Sequence, residues 1–140
     1  VYYADLPKFD RPLRRHGDYF AHVPGVGYRA MGRTDDTMNL GGIKVSSAEI
    51  ERVVADTGLV GEVAAVAVSP PGGGPSQLVL FVVGATVTGD ELLAGLQQAI
   101  RLHLNPLFKI HDVVEVEVLP RTASQKVMRR SLRADYIDAR

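Results

Sequence analysis

Residues 32–51 read GRTDDTMNLGGIKVSSAEIE, and this stretch decides the fold that the sequence predicts. It combines a polar turn, a short strand, a glycine pair, a lysine and the start of a helix. Gly41 and Gly42 let the backbone take positive φ and approach a ligand closely. Lys44 follows two residues later and brings a compact positive charge with three hydrogen-bond donors. Taken one feature at a time, the pattern predicts a glycine turn between a strand and a capped helix.

A capped helix is predicted directly after this turn. Ser46 and Glu49 are three residues apart, which is the spacing of a capping box. Apolar residues then recur at helical spacing as far as Gly58, so the helix is expected over about 47–57. Glu49 and Glu51 face different sides of such a helix, and we interpret them as a cap and a solvent-facing residue rather than as an acid–base pair.

The rest of the chain alternates between strand and helix patterns. Strands are expected at 18–20, 28–31, 62–69, 77–84 and 112–119. Two further helices are expected, one from a second capping box at 88–91 to about residue 104, and one over about 126–139. The segment 70–75 is interpreted as a solvent loop rather than a phosphate cradle, because its three prolines remove amide donors. We therefore predict an α+β domain with a small, mostly antiparallel sheet and helices packed on it, preceded by a β-hairpin region.

The composition narrows the classes of function. The chain has 140 residues, a formal net charge of zero and no cysteine. Zero net charge disfavours a dedicated nucleic-acid binder or a protein held at a membrane surface by bulk charge. The absence of cysteine excludes disulfides, thiolate zinc sites and a cysteine nucleophile, and no apolar run reaches membrane-spanning length. The chain begins with Val1 rather than methionine, so we expect a fragment or a processed product.

A second informative stretch, residues 119–130, reads LPRTASQKVMRR. It predicts a strand exit, a proline-stiffened loop and a helix capped by Ser124, with Lys126 in its first turn. The helix dipole disfavours a cation there, so the lysine and the free amides of the helix start both suit a bound anion. One side of the helix carries Met128, Leu132 and Tyr136. The alternative is a solvated basic patch that Lys126 forms with Arg129, Arg130 and Arg133.

The two stretches resemble motifs of the adenylate-forming (AMP-binding, ANL superfamily) acyl-CoA synthetases, most closely the acetyl-CoA-synthetase-like members. Residues 32–51 resemble the hinge motif, Gly-Arg-x-Asp-Asp followed by Gly-x-Arg/Lys and a Glu-bearing helix. Residues 119–130 resemble the terminal motif Leu-Pro-Arg-Thr-x-Ser-Gly-Lys-hydrophobic-x-Arg at every position except Gln125, where the family has glycine. A glycine can take positive φ, so this departure bears on the shape of the loop. A third match is 16–18, His-Gly-Asp, which resembles the family's Thr-Gly-Asp.

The resemblance implies a role for seven residues. Lys126 would catalyse acyl-adenylate formation, and Asp35 would be the hinge about which the small domain rotates. Asp18 would accept hydrogen bonds from the ribose hydroxyls of ATP, Arg33 would contact the nucleotide, and Gly41 and Gly42 would bind the cofactor with Lys44 as the cation that faces phosphate. A carboxylate suits the ribose because two acceptor oxygens meet two adjacent donors. No metal ligand is implied, and the four histidines, His16, His22, His103 and His111, lack ligand spacing and are interpreted as structural.

The resemblance also implies the domain organisation and the reaction. Residues 1–34 would be the C-terminal tail of a large N-terminal adenylation domain, and residues 35–140 the small mobile domain. The enzyme would be a cytoplasmic acyl-CoA synthetase that activates a carboxylic acid with ATP to acyl-AMP and transfers the acyl group to coenzyme A. Mg²⁺ and the substrate pockets would belong mainly to the N-terminal domain, so the acyl chain length is not indicated. The alternatives are a stand-alone α+β regulatory or protein-interaction module and a nucleic-acid binder that uses the basic residues at 126–133.

Overall fold

The computed structural model describes residues 2–3, 13–14, 18–33 and 36–140. In these residues the strands are β1 (Tyr2–Tyr3), β2 (Leu13–Arg14), β3 (Asp18–Val23), β4 (Gly27–Arg33), β5 (Thr37–Leu40), β6 (Ile43–Ser46), β7 (Glu62–Val68), β8 (Gln77–Val83) and β9 (Ile110–Glu115). The helices are α1 (Ser47–Ala55), α2 (Gly89–His103) and α3 (Arg129–Asp138). The α+β class predicted from the sequence is confirmed.

A three-stranded sheet, in the order β7-β8-β9, is the centre of the domain. β8 is antiparallel to β7, as predicted, and parallel to β9. The parallel pairing follows from the helix α2 between β8 and β9, because parallel neighbours need a long crossover connection. The strand predicted at 112–119 lies at 110–115. It ends there because its partner β8 ends at Val83, and beyond β9 the Val116 amide donates a hydrogen bond to the Val82 carbonyl at 2.9 Å.

Both faces of this sheet are covered, and β8 supplies side chains to each. One core contains the inner faces of α1 and α2 and the β8 residues Leu78, Leu80 and Val82. The other core contains the β8 residues Val79 and Phe81 together with Leu119, Leu132 and Tyr136. A strand buried on both faces reads as an unbroken apolar run, which is why residues 78–83 lack alternation. Because residues 36–140 form two buried cores, we expect this part of the chain to fold by itself.

Tyr136 anchors α3 to the sheet. Its ring meets the Phe81 ring edge-on, with centroids 6.1 Å apart, and its hydroxyl donates to Asp112 Oδ2 at 2.9 Å. Burial, and then the hydrogen bond to the Asp112 carboxylate, raise the pKa of Tyr136 to about 12. The phenol therefore stays protonated and keeps donating. The Arg140 guanidinium group lies over the Tyr136 ring, 4.4 Å from its centroid.

The predicted capping boxes have different outcomes. Ser46 and Glu49 form a complete box at the start of α1, with both reciprocal hydrogen bonds present. The second box is wrong, because the Thr88 side chain makes no capping hydrogen bond. Gly89, the first residue of α2, takes a φ of 59°, so the chain enters the helix through a left-handed residue.

The last helix begins later than predicted. α3 starts at Arg129, its N-cap is Met128, and Ser124 is not its cap. The reason is that the preceding residues hydrogen-bond to one another: the Met128 amide donates to the Pro120 carbonyl at 2.8 Å. Met128 is 39% exposed, and of the three residues predicted for the apolar side only Leu132 and Tyr136 are buried.

Among the described residues, the hairpins β3–β4 and β5–β6 precede the three-stranded sheet. β3 and β4 pair antiparallel around the turn at 24–26. β5 and β6 pair antiparallel around Gly41 and Gly42, whose φ values are 62° and 89°. Two successive residues at positive φ are the requirement of a tight type I′ hairpin turn. The positive φ predicted for the glycine pair is confirmed, and its structural reason is this turn.

Candidate functional site

Lys126 lies on a short closed loop between β9 and α3. Arg121 and Val127 form an isolated antiparallel bridge, which closes the loop at its base. Inside it, the Thr122 amide donates to the Lys126 carbonyl at 2.8 Å, and the Lys126 amide donates to Thr122 Oγ1 at 3.2 Å. The Lys126 side chain is exposed, and its ammonium group makes no hydrogen bond or ion pair with the residues that the structure describes. The loop therefore presents a free cation on a backbone that is fixed from within.

Arg121 joins this loop to the sheet. Its guanidinium group pairs with the Glu62 carboxylate at the start of β7 and also donates to the Gln125 carbonyl at 3.0 Å. Thr122 Oγ1 and Ser124 Oγ are 3.0 Å apart on the opposite side of the loop. Arg121, Thr122 and Ser124 each make a hydrogen bond within the loop, which explains why these residue types surround the lysine in the sequence.

Gln125 occupies a position that favours glycine. Among the residues that the structure describes, it is the one non-glycine residue with positive φ, at 64°. The left-handed conformation costs an ordinary residue about 1–2 kcal/mol. The sequence indicated this position, because Gln125 is where the stretch 119–130 departs from the pattern that it resembles.

Gln125→Gly is expected to leave the domain equally stable or to stabilise it by about 1 kcal/mol or less, because the relief of strain is partly offset by a more flexible unfolded chain. Gln125→Val is expected to destabilise it by more than about 1 kcal/mol, since a β-branched residue fits positive φ poorly. The measurement is urea unfolding of this chain. Ala123→Gly is the matched control at negative φ, and a Gln125→Gly variant that lost as much stability as this control would contradict the prediction.

Arg129 is the most highly connected cation near the loop. Its guanidinium group donates to both carboxylate oxygens of Glu51, at 2.7 and 2.9 Å, and to Asp36 Oδ2 at 3.3 Å. Glu51 Oε1 also accepts from the Ala65 amide of β7 at 2.9 Å. The interpretation of Glu51 as a solvent-facing residue is therefore wrong, since its side chain is only 18% exposed and lies within this cluster. The sequence held a signal for Arg129, because it stands at the arginine of the terminal motif.

The basic patch is smaller than the sequence suggests. Arg129 is held by carboxylates, and Arg133 Nε donates to the Ala67 carbonyl at 2.8 Å. Arg130 and Lys126 are the members of the predicted patch with exposed side chains. Two of the four cations that a nucleic acid would need are thus engaged within the fold.

The glycine turn lies at a different place from the lysine loop. Gly41 borders a cavity of about 470 Å³, together with Pro70 and Gln77 at the far end of the β7–β8 hairpin. The lysine loop contacts Glu62 at the opposite end of β7. Seven residues of strand separate the two ends, which corresponds to about 20 Å at 3.3 Å per residue. The structure does not bring Lys126 and the glycine pair together.

Lys44 lies on β6, exposed and opposite Asn39. It borders a cavity of about 300 Å³ that is lined by Phe20, Ala21, Thr37, Lys44, Val45, Ser46 and Glu49. The cavity thus lies between the β3–β4 hairpin and the start of α1. An ammonium group at the edge of this cavity suits a ligand that carries an anionic group.

Two of the remaining predicted site residues, Asp18 and Arg33, lie on the β3–β4 hairpin. Asp18 and Arg33 are paired in register at the open end of β3 and β4. Asp35 and His16 lie outside the described residues. The other histidines, His22, His103 and His111, are exposed. In the described part of the chain no group of three or more histidine, aspartate or glutamate residues could hold a metal ion, and no helix there is long and apolar enough to cross a membrane.

Comparison with known proteins relates this arrangement to a family. Residues 49–126 match the AMP-binding enzyme C-terminal domain. The probable acyl-activating enzyme 17, peroxisomal, of Arabidopsis thaliana is 51% identical over 142 residues, which cover 95% of this chain and 19% of that protein. The hexanoyl-CoA synthase of Cannabis sativa is 46% identical, over 97% of this chain and 20% of that protein. The chain therefore spans about a fifth of the length of these curated relatives.

A solved structure supports the same relationship. The benzoate CoA ligase from Burkholderia xenovorans LB400 superposes with a TM-score of 0.71 at 31% identity, over 88% of this chain and 24% of that one. The resemblance that the motifs indicated is thereby confirmed by an independent comparison of the fold.

Proposed function

The chain belongs to the AMP-binding enzyme C-terminal domain family, and from that premise we propose that it is the small C-terminal domain of an ATP-dependent, AMP-forming acyl-CoA synthetase. The observation that carries the proposal is the pair of presented elements, a free lysine on a closed loop and a glycine hairpin at the other end of β7. Their chemistry suits two successive half-reactions. In the first, a carboxylate oxygen attacks the α-phosphate of ATP and pyrophosphate leaves. In the second, the thiol of coenzyme A attacks the acyl carbon and AMP leaves.

Lys126 is the residue that we assign to the first half-reaction. The carboxylate and the α-phosphate are both anionic, so their approach is opposed by electrostatic repulsion. An ammonium group between them offsets that repulsion and holds the reacting atoms in line, most effectively where water is excluded. The exposed Lys126 side chain is free to enter such a site on a neighbouring domain.

The nucleotide and the second half-reaction involve the other predicted residues. We assign the ribose hydroxyls of ATP to Asp18 and a nucleotide contact to Arg33, which the hairpin register places opposite one another. Gly41, Gly42 and Lys44 are assigned to coenzyme A, because a backbone without side chains allows close approach and a lysine attracts phosphate.

The separation of the two elements requires the domain to turn between half-reactions. A lysine loop and a glycine turn that lie beside opposite ends of β7, about 20 Å apart, cannot occupy the same reaction centre at once. We therefore propose that residues 35–140 rotate about Asp35 relative to the adenylation domain, to which residues 1–34 belong. ATP, coenzyme A and Mg²⁺ are the proposed cofactors, with Mg²⁺ and the acyl group bound mainly by the adenylation domain. The N-terminal domain and a small carboxylic acid are the proposed partners.

The compartment is proposed as the cytoplasm or the peroxisome. The cytoplasm was expected from the sequence, and the name of the Arabidopsis relative assigns that protein to peroxisomes. Imaging of the full-length protein with a fluorescent tag distinguishes the two.

The full-length protein that contains this chain is expected to form acyl-CoA from ATP, coenzyme A and at least one acid in a panel of short, medium, long and aromatic carboxylates. This chain alone is expected to form none, because the substrate pockets lie on the adenylation domain. The measurements are pyrophosphate release and thioester yield. Thioester formation by the chain alone, or no pyrophosphate release by the full-length protein with any acid, would refute the proposal and favour a stand-alone module.

A further inference from the structure

Arg129 joins three parts of the domain that are remote in sequence. It is the first residue of α3 and follows Lys126 by three positions. Its partner Glu51 lies on α1, 78 residues earlier, and its partner Asp36 lies 93 residues earlier. Through the Ala65 amide, Glu51 is also bound to β7. The guanidinium group therefore fixes the end of the lysine loop to α1, to the sheet and to Asp36 at once.

The contacts are of the kind that holds an orientation. The Arg129–Glu51 pair is bidentate, and the side chains of Arg129, Glu51 and Asp36 are only 20%, 18% and 28% exposed. A planar guanidinium group that binds both oxygens of one carboxylate restrains direction as well as distance. Half-buried charges are also screened less by solvent than exposed ones.

The loop is held on two sides. On one side Arg121 ties it to Glu62 at the start of β7. On the other, the Met128 amide binds the Pro120 carbonyl, and Arg129 follows immediately with its carboxylate partners. Lys126 lies between these two attachments, and its side chain makes no hydrogen bond or ion pair within the part of the chain that the structure describes.

Asp36, the residue that follows the proposed hinge, is bound to Arg129 in the same cluster. Its carbonyl accepts from the Ser47 amide at 3.0 Å, and its carboxylate accepts from Arg129. Asp36 directly follows Asp35, which is the residue proposed as the hinge. The first residue beyond the hinge is thus fixed both to the start of α1 and to the start of α3.

We propose that Arg129 is a positioning residue that, through Glu51 and Asp36, sets the orientation of the Lys126 loop relative to the hinge. Arg129 does not touch the reacting atoms. Its role is to make the loop and the first residue after the hinge turn as one rigid unit, so that rotation of the domain delivers Lys126 to a fixed place. The expected changes in the half-reaction rates rest on the proposed function. The expected loss of order in the loop rests on the geometry alone.

The kinetic test uses the full-length protein and separates the two half-reactions. Arg129→Gln is expected to lower kcat for pyrophosphate release by on the order of 10²-fold, since a displacement of about 1 Å has effects of that size. Arg129→Lys, which keeps the charge but loses the bidentate fork, is expected to lose about 10-fold. The KM for ATP and for the acid, and the thioester yield from supplied acyl-AMP, are expected to stay within about threefold, because these do not depend on the place of Lys126.

The matched control is Arg130→Gln, which removes an exposed arginine next to Arg129 and is expected to change neither half-reaction. Glu51→Gln is expected to reproduce the loss, and the double variant with Arg129→Gln is expected to be no worse than either single variant, as for residues that act as a unit. If Arg129→Gln does not fold, Arg129→Lys carries the same comparison. A parallel fall of both half-reactions, or a normal rate of pyrophosphate release, would overturn the proposal.

A structural measurement tests the inference without any activity. Hydrogen exchange of the amides in 121–128 is expected to accelerate at least about 10-fold in Arg129→Gln, because the loop loses one of its two attachments. Arg130→Gln is expected to leave it unchanged. Unaltered exchange in the Arg129 variant would overturn the positioning role even in a protein that proved not to be a synthetase. Conversely, faster exchange without pyrophosphate release in the wild type would refute the proposed function alone.

Discussion

Lys126→Ala in the full-length enzyme is expected to slow acyl-AMP formation by about 10²–10³-fold, which corresponds to roughly 3–4 kcal/mol of barrier for the loss of one preorganised charged donor. An exposed lysine in a solvated basic patch would cost about 1 kcal/mol or less. The two interpretations of Lys126 therefore differ by more than the error of a rate measurement. The second half-reaction is expected to survive. In that step a thiol attacks the acyl carbon of acyl-AMP, so no carboxylate has to approach a phosphate.

The measurement compares pyrophosphate release from ATP and acid with thioester yield from supplied acyl-AMP and coenzyme A. Arg130→Ala is the matched control, since it removes an exposed cation four residues further along the same stretch. A Lys126→Ala enzyme that released pyrophosphate within a few-fold of the wild-type rate would refute the catalytic role and restore the basic-patch interpretation.

Asp35→Pro is expected to separate the two half-reactions in the opposite direction. Proline fixes φ near −65°, and a hinge residue must change its backbone angles when a domain turns. We expect pyrophosphate release to stay within about threefold and thioester formation to fall by on the order of 10²-fold, because the domain is held in one orientation. The prediction is specific to Asp35, since the next residue, Asp36, is bound to Ser47 and Arg129.

Asp35→Ala is the control for this prediction, because it removes the carboxylate and leaves φ free. It is expected to retain both half-reactions within a few-fold. Equal loss of both half-reactions in Asp35→Pro, or the same pattern in Asp35→Ala, would show that the residue contributes to the fold or to substrate binding and is not the pivot.

Local signals were sufficient for much of the fold. The capping box of Ser46 and Glu49, the glycine turn and the apolar runs of β7 and β8 each depend on residues within a few positions of one another, and all three are confirmed. The start of α3 was misplaced because Ser124 is a good N-cap by type. Its neighbours Thr122 and Lys126 bond within the loop instead, and this closure leaves no local sign in the sequence.

The candidate site was predicted only in part, for a similar reason. The motifs indicated Lys126 and the glycine pair, whose proposed roles depend on residue type and spacing. They gave no indication that Glu51 pairs with an arginine 78 residues away. An ion pair between remote residues depends on how helices pack, so amphipathic spacing on α1 alone predicted a solvent-facing glutamate. The alternative of a basic patch included Arg129, because an arginine whose partner is remote in sequence resembles an exposed charge.

The shared position of β8 has a consequence for the cooperativity of the domain. Leu80 and Phe81 are neighbours in the strand but belong to different cores. Because loss of either core would expose one face of the strand that the other core needs, we expect the domain to unfold in one cooperative transition rather than in steps. For the same reason, the domain cannot bend between its two cores, so a rotation of the domain cannot take place within it. In the proposed reaction cycle we therefore expect residues 36–140 to turn as one body, fixed at its start by the contacts of Asp36 with Ser47 and Arg129.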